Sequence, residues 1–187
     1  MAKLTAKNVL LPAAILTAIC IVISGLLALT NDITHEKIAE EARKESIAAM
    51  SLIYGEDGTG FQDLTATDSE GNEFSYSKVI LDGETLGYIF TTAKNGYGGE
   101  VKVMTGINAD GSIKSIQILS VADETPGLGQ NAKSEDFTKQ FTGKQNEISK
   151  EKNAEIKAIT GATITTNAVI DDVNRARELF NIVKGAE

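Results

Sequence analysis

The chain has 187 residues, enough for one domain of ordinary size with an appendage, and 42% of them are hydrophobic. Its formal net charge is −8, and the residues after position 30 carry 16 basic and 26 acidic side chains, a net of −10. An acidic body argues against nucleic acid as a partner and against electrostatic docking on anionic lipid headgroups. Cys20 is the single cysteine and His35 the single histidine, which excludes an intrachain disulfide, a cysteine-held cluster and a multi-histidine metal site.

An uncharged segment at residues 9–30 is longer than the roughly 18 residues that mark a membrane-spanning helix. Lys3 and Lys7 precede it and acidic side chains crowd its far side, so the positive-inside bias predicts a cytoplasmic N-terminus and an extracytoplasmic C-terminal body. A cleaved signal peptide is the alternative, but residues 28–30 are a poor cleavage site. We therefore expect a retained, single-pass anchor in the lipid of the cell membrane over residues 1–31.

The segment after the anchor is charged. Residues 34–50 have a helical pattern with a sparse apolar side, formed by Ile38, Ala42, Ile47 and Ala49. We interpret residues 32–55 as a solvated helical stalk and residues 56–187 as the extracytoplasmic domain. The glycine-rich residues 55–60 predict a loop.

Short apolar segments separated by turn sequences fill residues 74–121. Asp82-Gly83 and Asn95-Gly96 mark turns, and residues 108–111, Asn-Ala-Asp-Gly, are typical of a hairpin. Consecutive strands joined by short turns predict an antiparallel sheet. With flanking helices, the predicted fold class is α+β.

Residues 124–129 read Glu-Thr-Pro-Gly-Leu-Gly, and Pro126 followed by Gly127 is the pair that a type II turn favours. Without other information, such a pair is usually only a turn. The polar and charged residues 133–156, with Phe137 and Phe141 at helical spacing, predict a surface helix and loop that cover the sheet.

Residues 157–166 place four threonines around a Gly-Ala pair and lead into an amphipathic helix. Thr165, Thr166 and Asn167 are each competent N-caps of that helix. Free amides and the positive end of the helix dipole favour a bound phosphate at such a position. The alternative interpretation is a polar turn before a terminal helix.

The Thr-Gly-Ala-Thr core followed by x-Thr resembles the flavinylation motif of the FMN-binding domain found in RnfG and NqrC subunits. In that family, FMN is joined through its phosphate to the last threonine of the core, which is Thr163 here. Residues 124–129 resemble the family loop that forms part of the flavin pocket, and residues 96–99 with Asp110-Gly111 match the same domain. The chain departs from the family at Lys157, where aspartate is frequent.

The resemblance implies that Thr163 carries covalent FMN, attached by a flavin transferase, and that residues 133–156 cover the flavin side of the sheet. It also implies that two groups of neighbours hold the cofactor, namely Thr160, Gly161, Ala162 and Thr165 near the phosphate, and Glu124, Thr125, Gly127, Leu128 and Gly129 near the flavin.

The resemblance further implies an electron-transfer subunit of the Rnf complex, the ion-translocating ferredoxin:NAD⁺ oxidoreductase, without substrate chemistry of its own and acting with the other subunits. The residues agree with a cofactor-based role, because the sequence contains no nucleophile–base pair, dinucleotide motif or metal cluster. Three alternatives stay open: an NqrC-like subunit, a stand-alone flavinylated carrier, and a cofactor-free, membrane-anchored binding module. The sequence does not specify the coupling ion.

Overall fold

A computed structural model describes residues 6–55, 58–150 and 155–186. Lys3, the centre of the predicted loop at residues 56–57, and residues 151–154 of the predicted covering segment lie outside the described residues. The chain divides into two compact units, the first ending at Glu45 and the second beginning at Ser46.

Helix α1 spans Ala6–Tyr54, and its residues up to Glu45 form the described part of the first unit. From Leu10 onward it is long and apolar enough to cross a membrane, by length and composition. The hydroxyls of Thr17 and Thr30 donate to the carbonyls four residues earlier, which satisfies them within the helix. The helix therefore has the properties expected of the anchor, while its orientation in the membrane stays a prediction.

A five-stranded antiparallel sheet, with its strands in sequence order, is the centre of the second unit. The strands are β1 (Gly60–Thr67), β2 (Glu73–Leu81), β3 (Glu84–Asn95), β4 (Glu100–Asn108) and β5 (Ile113–Ser120). Strands β2 to β5 confirm the predicted sheet. β1 is an additional edge strand that no apolar alternation predicts, because most of its residues stay exposed.

Two of the predicted turns are confirmed by their backbone geometry. Asp82 and Gly83 connect β2 to β3 with φ angles of 52° and 85°, the positive values that a tight hairpin turn requires. At the next hairpin, Gly111 has a φ of 86° and its N–H donates to the Asn108 carbonyl at 2.9 Å.

The segment after the sheet is less helical than the sequence predicts. It contains a 3-10 turn at Gly129–Lys133, the short helix α2 (Glu135–Thr138) and a 3-10 turn at Lys139–Phe141. Phe137 and Phe141 are buried with their rings 5.4 Å apart. The segment therefore covers the sheet as predicted, with these two rings in the core beside β5 and helix α3 (Thr163–Ala186), but its α-helix is only four residues long.

The two faces of the sheet are covered by different helices. Helix α3 packs against the face that carries Tyr88, Phe90 and Val103. The last turns of α1 cover the opposite face, where Ala49, Ile53 and Tyr54 pack against Val79, Ile89 and Met104. The fold is α+β as predicted, and the core of the second unit includes the end of α1. The domain boundaries at residues 31 and 55 stay predictions.

Candidate functional site

Helix α3 begins earlier than the sequence predicts. The N–H of Thr166 donates to the carbonyl of Ala162 at 3.0 Å, so Ala162 is the N-cap and Thr163 is the first helical residue. The prediction of an N-cap at Thr165, Thr166 or Asn167 is therefore wrong. The correction matters because the amides of residues 163–165 have no acceptor within the helix, and Thr163 itself lies at this end.

The hydroxyl of Thr166 fixes the turn that precedes α3. It donates to the Ala162 carbonyl at 2.9 Å and accepts the N–H of Ile159 at 3.1 Å. Gly161, in the middle of this turn, has a φ of 76°, a conformation that favours glycine. Thr166 is not among the predicted site residues. The signal that could have identified it is its position three residues after Thr163, in the first turn of the helix.

The predicted Pro-Gly turn is confirmed. The N–H of Leu128 donates to the Thr125 carbonyl at 3.1 Å, and Gly127 has a φ of 76°, as the third position of a type II turn requires. The side-chain amide of Asn131 donates to the Gly127 carbonyl at 2.7 Å. This loop is therefore held by its own turn and by the 3-10 segment that follows.

The two predicted motifs meet in space. A Cβ placed on Gly161 would lie 3.1 Å from Cδ2 of Leu128, so the leucine packs directly over the glycine. The exposed residues of the threonine motif are Thr160, Gly161 and Thr163. Those of the Pro-Gly loop are Thr125, Gly127 and Leu128.

The other four predicted site residues are buried. They are Ala162, Thr165, Glu124 and Gly129. Glu124 accepts from the amides of Tyr97 and Gly98 at 2.7 and 3.2 Å and from the Thr165 hydroxyl at 2.7 Å. The hydroxyl of Thr165 therefore bonds to Glu124. This buried pair links the first turn of α3 to the start of the loop that carries the Pro-Gly turn.

A groove of about 590 Å³ opens beside Thr163, with Gln140, Lys157 and Asn167 among its lining residues. The side chain of Gln140 makes two hydrogen bonds to the backbone of Lys157. Its Oε1 accepts the Lys157 N–H at 2.6 Å, and its Nε2 donates to the Lys157 carbonyl at 3.3 Å. The lysine that departs from the family pattern is thus held at the edge of this groove. Lys133, at the end of the 3-10 turn, is not among the residues that line this groove, and its ammonium donates to the Leu119 carbonyl at 3.3 Å.

A second groove, of about 570 Å³, contains none of the predicted site residues. Several of its charged side chains are paired, including Arg175 with Asp68 and Glu178, and Asp171 with Lys150. Across the described ranges, no cluster of three or more histidine, cysteine, aspartate or glutamate side chains could hold a metal ion. The surface around the contact between Leu128 and Gly161 is therefore a stronger candidate site than the second groove.

Comparisons with known proteins identify the domain that contains these motifs. Residues 96–178 match the family model of the FMN-binding domain. This range includes both motifs and residues 96–99, the Tyr97 loop between β3 and β4. Residues 1–53 match the model of the RnfG N-terminal region.

Two curated relatives and one solved structure extend the comparison. The RnfG relative from the Na⁺-translocating ferredoxin:NAD⁺ oxidoreductase complex of Acetobacterium woodii is 37% identical over 186 residues, covering 89% of this chain and 88% of the relative. Its counterpart from the proton-translocating complex of Clostridium ljungdahlii is 34% identical over 109 residues, covering 56% and 58%. The crystal structure of Shewanella oneidensis NqrC aligns with a TM-score of 0.51 at 18% identity, covering 65% of this chain and 69% of NqrC.

The fold and the matched motifs define a protein with an FMN-binding domain of the NqrC type. Both matched regions and the extent of the Acetobacterium relative then specify the family. The chain belongs to the RnfG family, whose members are subunits of ion-translocating oxidoreductase complexes.

The described residues fit an FMN phosphate at Thr163. Thr163 is exposed, and the first amides of α3, which have no acceptor within the helix, are the donors that a phosphate requires. A Cβ on Gly161 would lie 3.1 Å from Cδ2 of Leu128, so a side chain at this turn would press on the leucine. Glu155, an acidic residue that lines the groove, is paired with Lys144 at 2.6 Å, which reduces its repulsion of a phosphate.

Proposed function

We propose that this chain is an electron-transfer subunit of an Rnf-type ion-translocating ferredoxin:NAD⁺ oxidoreductase complex, with FMN attached through its phosphate to Thr163. The observation that carries the proposal is the exposed Thr163 at the N-terminus of α3, inside a region that matches the FMN-binding domain. Bound FMN supplies one- and two-electron redox chemistry, so the chain needs no catalytic side chains and no substrate of its own.

Attachment of FMN requires an activated donor, and we propose a phosphoanhydride of FMN such as FAD, used by a flavin transferase. The bond between the Thr163 oxygen and phosphorus forms, the anhydride bond breaks, AMP leaves with the bonding electron pair, and the hydroxyl proton passes to a base of the transferase. The phosphoester that results keeps one negative charge. The amides of residues 163–165 and the ammonium of Lys157 would stabilise this charge.

The remaining site residues would act through the backbone and through packing. The turn of Thr160, Gly161 and Ala162 presents the hydroxyl, while Thr125, Gly127 and Leu128 form the exposed surface next to it. Gly129, Glu124 and Thr165 lie below that surface. A covalent bond suits a carrier in the extracytoplasmic space, because a dissociated flavin would be lost there by diffusion.

The topology that goes with this function is a single membrane helix with a cytoplasmic N-terminus and an extracytoplasmic flavin domain. The uncharged segment 9–30 and the acidic residues that follow it support the proposal. The named relatives belong to complexes that translocate Na⁺ in one case and protons in the other. We therefore assign the choice of coupling ion to partner subunits.

The proposal is tested by replacing the chromosomal gene with a Thr163→Ala variant and purifying the complex from membranes. We expect the variant to copurify with the other subunits and the membranes to lose ferredoxin-dependent NAD⁺ reduction. Full activity of the variant would contradict the carrier role of Thr163. A flavinylated wild type that purifies without membrane subunits would favour a stand-alone carrier, and a wild type without flavin would favour a cofactor-free binding module.

A further inference from the structure

Glu124 joins three segments that surround the attachment threonine. Its Oε1 accepts the consecutive amides of Tyr97 and Gly98, and its Oε2 accepts the hydroxyl of Thr165 in the first turn of α3. Glu124 itself begins the loop that carries the Pro-Gly turn. The Tyr97 loop, the Pro-Gly loop and the start of α3 are therefore tied to one buried carboxylate, which is 3% exposed.

The glycines of both loops are spaced to admit this carboxylate. A Cβ on Gly96 would lie 2.1 Å from Glu124 Oε1, and a Cβ on Gly129 would lie 2.3 Å from Oε2 and 2.9 Å from the Thr165 hydroxyl oxygen. Consecutive backbone amides are a binding site for an anion, and here the anion is a side chain of the same chain. Hydrogen bonds to a charged acceptor offset the cost of burying it.

Each of the three joined segments also presents one large, exposed, apolar side chain. Tyr97 is 72% exposed, Leu128 40% and Ile164 52%. Since Glu124 bonds to the backbone of Tyr97 and to Thr165, next to Ile164, it ties together the segments that carry these side chains.

We propose that Glu124 is a positioning residue for flavin attachment, which acts by bonding Thr165 and so holding the Thr163 hydroxyl in register with the two loops. The inference rests on the proposed function, because it concerns the same threonine. The role is geometric: it depends on the hydrogen bonds of the side chain and not on its charge. Glu124 touches none of the reacting atoms.

The test measures the initial rate of flavinylation of the full chain, by intact mass, during co-expression with a flavin transferase. Thr165→Val keeps the buried shape and removes the bond to Glu124, so we expect flavinylation to slow roughly tenfold, the scale of one hydrogen bond. Thr92→Val is the matched control, since the Thr92 hydroxyl is also buried and bonds α3 to β3 through the Asp172 carbonyl at 3.1 Å. We expect the control to flavinylate at the wild-type rate with a similar fall in melting temperature.

Two variants of Glu124 separate geometry from charge. Glu124→Gln keeps an oxygen for both amides and an NH₂ group for the Thr165 oxygen, so we expect a rate near that of the wild type. Glu124→Ala removes all three bonds and should flavinylate at least as slowly as Thr165→Val. A Glu124→Gln rate as low as that of Glu124→Ala would overturn the geometric role.

The outcomes distinguish this inference from the function on which it rests. A modified wild type together with a Thr165→Val variant at the wild-type rate would overturn the positioning role alone. Equal slowing of Thr165→Val and Thr92→Val would also overturn it, because general loss of stability would then explain the effect. An unmodified wild type would overturn the proposed function, and the positioning role with it.

Discussion

Leu128 packs over Gly161, with 3.1 Å between its Cδ2 atom and the position that a Cβ on Gly161 would take. This contact is the point at which the Pro-Gly loop meets the threonine motif. Gly127 has the same φ of 76°, but no described atom lies within 4 Å of its Cβ position. The two glycines therefore share one φ angle and differ in their surroundings.

We predict that Gly161→Ala destabilises the domain more than Gly127→Ala. Both substitutions place a side chain at positive φ, which costs roughly 1–2 kcal/mol, but only the first also presses on Leu128, which adds about 1 kcal/mol. Chemical unfolding of the two variants measures the difference in the free energy of unfolding. Equal losses of the free energy of unfolding would contradict this prediction, because the Leu128 side chain would then move aside without an energetic cost.

The end of α1 supplies a second prediction. A Cβ on Gly106 would lie 2.3 Å from Cγ2 of Ile53 and 3.0 Å from Cε2 of Tyr54, so this glycine of β4 admits the helix. We predict that Gly106→Ala lowers the free energy of unfolding by about 1–3 kcal/mol through overpacking. Gly185→Ala is the control, since no described atom lies within 4 Å of that Cβ position, and it should leave the melting temperature unchanged or raised.

Asp172 gives a prediction about pH. It is fully buried in α3, neither carboxylate oxygen has a hydrogen-bond partner among the described residues, and burial raises its pKa to about 7. An unfolded aspartate ionises near pH 4. Between these values the folded state binds the extra proton, so the free energy of unfolding should fall as the pH rises from about 4 to about 7.

We expect Asp172→Asn to remove this slope. The variant should match the wild type near pH 4 and exceed its stability by roughly 2–4 kcal/mol at pH 8. Melting curves across this range measure the effect. The control is Asp171→Asn, which removes a neighbouring carboxylate that is paired with Lys150 at 2.5 Å and should leave the slope in place. A wild-type curve that is flat between pH 4 and 7 would contradict the assignment.

Local patterns in the sequence were sufficient for much of this fold. The apolar run of α1, the alternation of β2 to β5 and the Pro126-Gly127 turn all depend on neighbours in the chain, and all are confirmed. Strand β1 escaped prediction because it is held by pairing with β2 and not by burial of an apolar face. The start of α3 was misplaced because Ala162, a residue without a capping side chain, is the N-cap.

The sequence named the segments that meet at the candidate site but not the contacts between them. The motif resemblance named Thr163, Leu128 and Glu124 from short stretches of sequence, and the structure brings their segments together. The burial of Glu124 and its bond to Thr165 join residues 41 positions apart, so no local pattern could specify them. The docking of Ile53 at Gly106 is a long-range contact of the same kind.

The central claim is tested most directly by the intact mass of the wild type, Thr163→Ala and Thr160→Ala, each co-expressed with an active flavin transferase. We predict that the wild type and Thr160→Ala gain the mass of one FMN less one water, with flavin fluorescence that survives denaturing electrophoresis, and that Thr163→Ala gains neither. A modified Thr163→Ala variant, or an unmodified wild type beside a control substrate that the transferase does modify, would contradict the account.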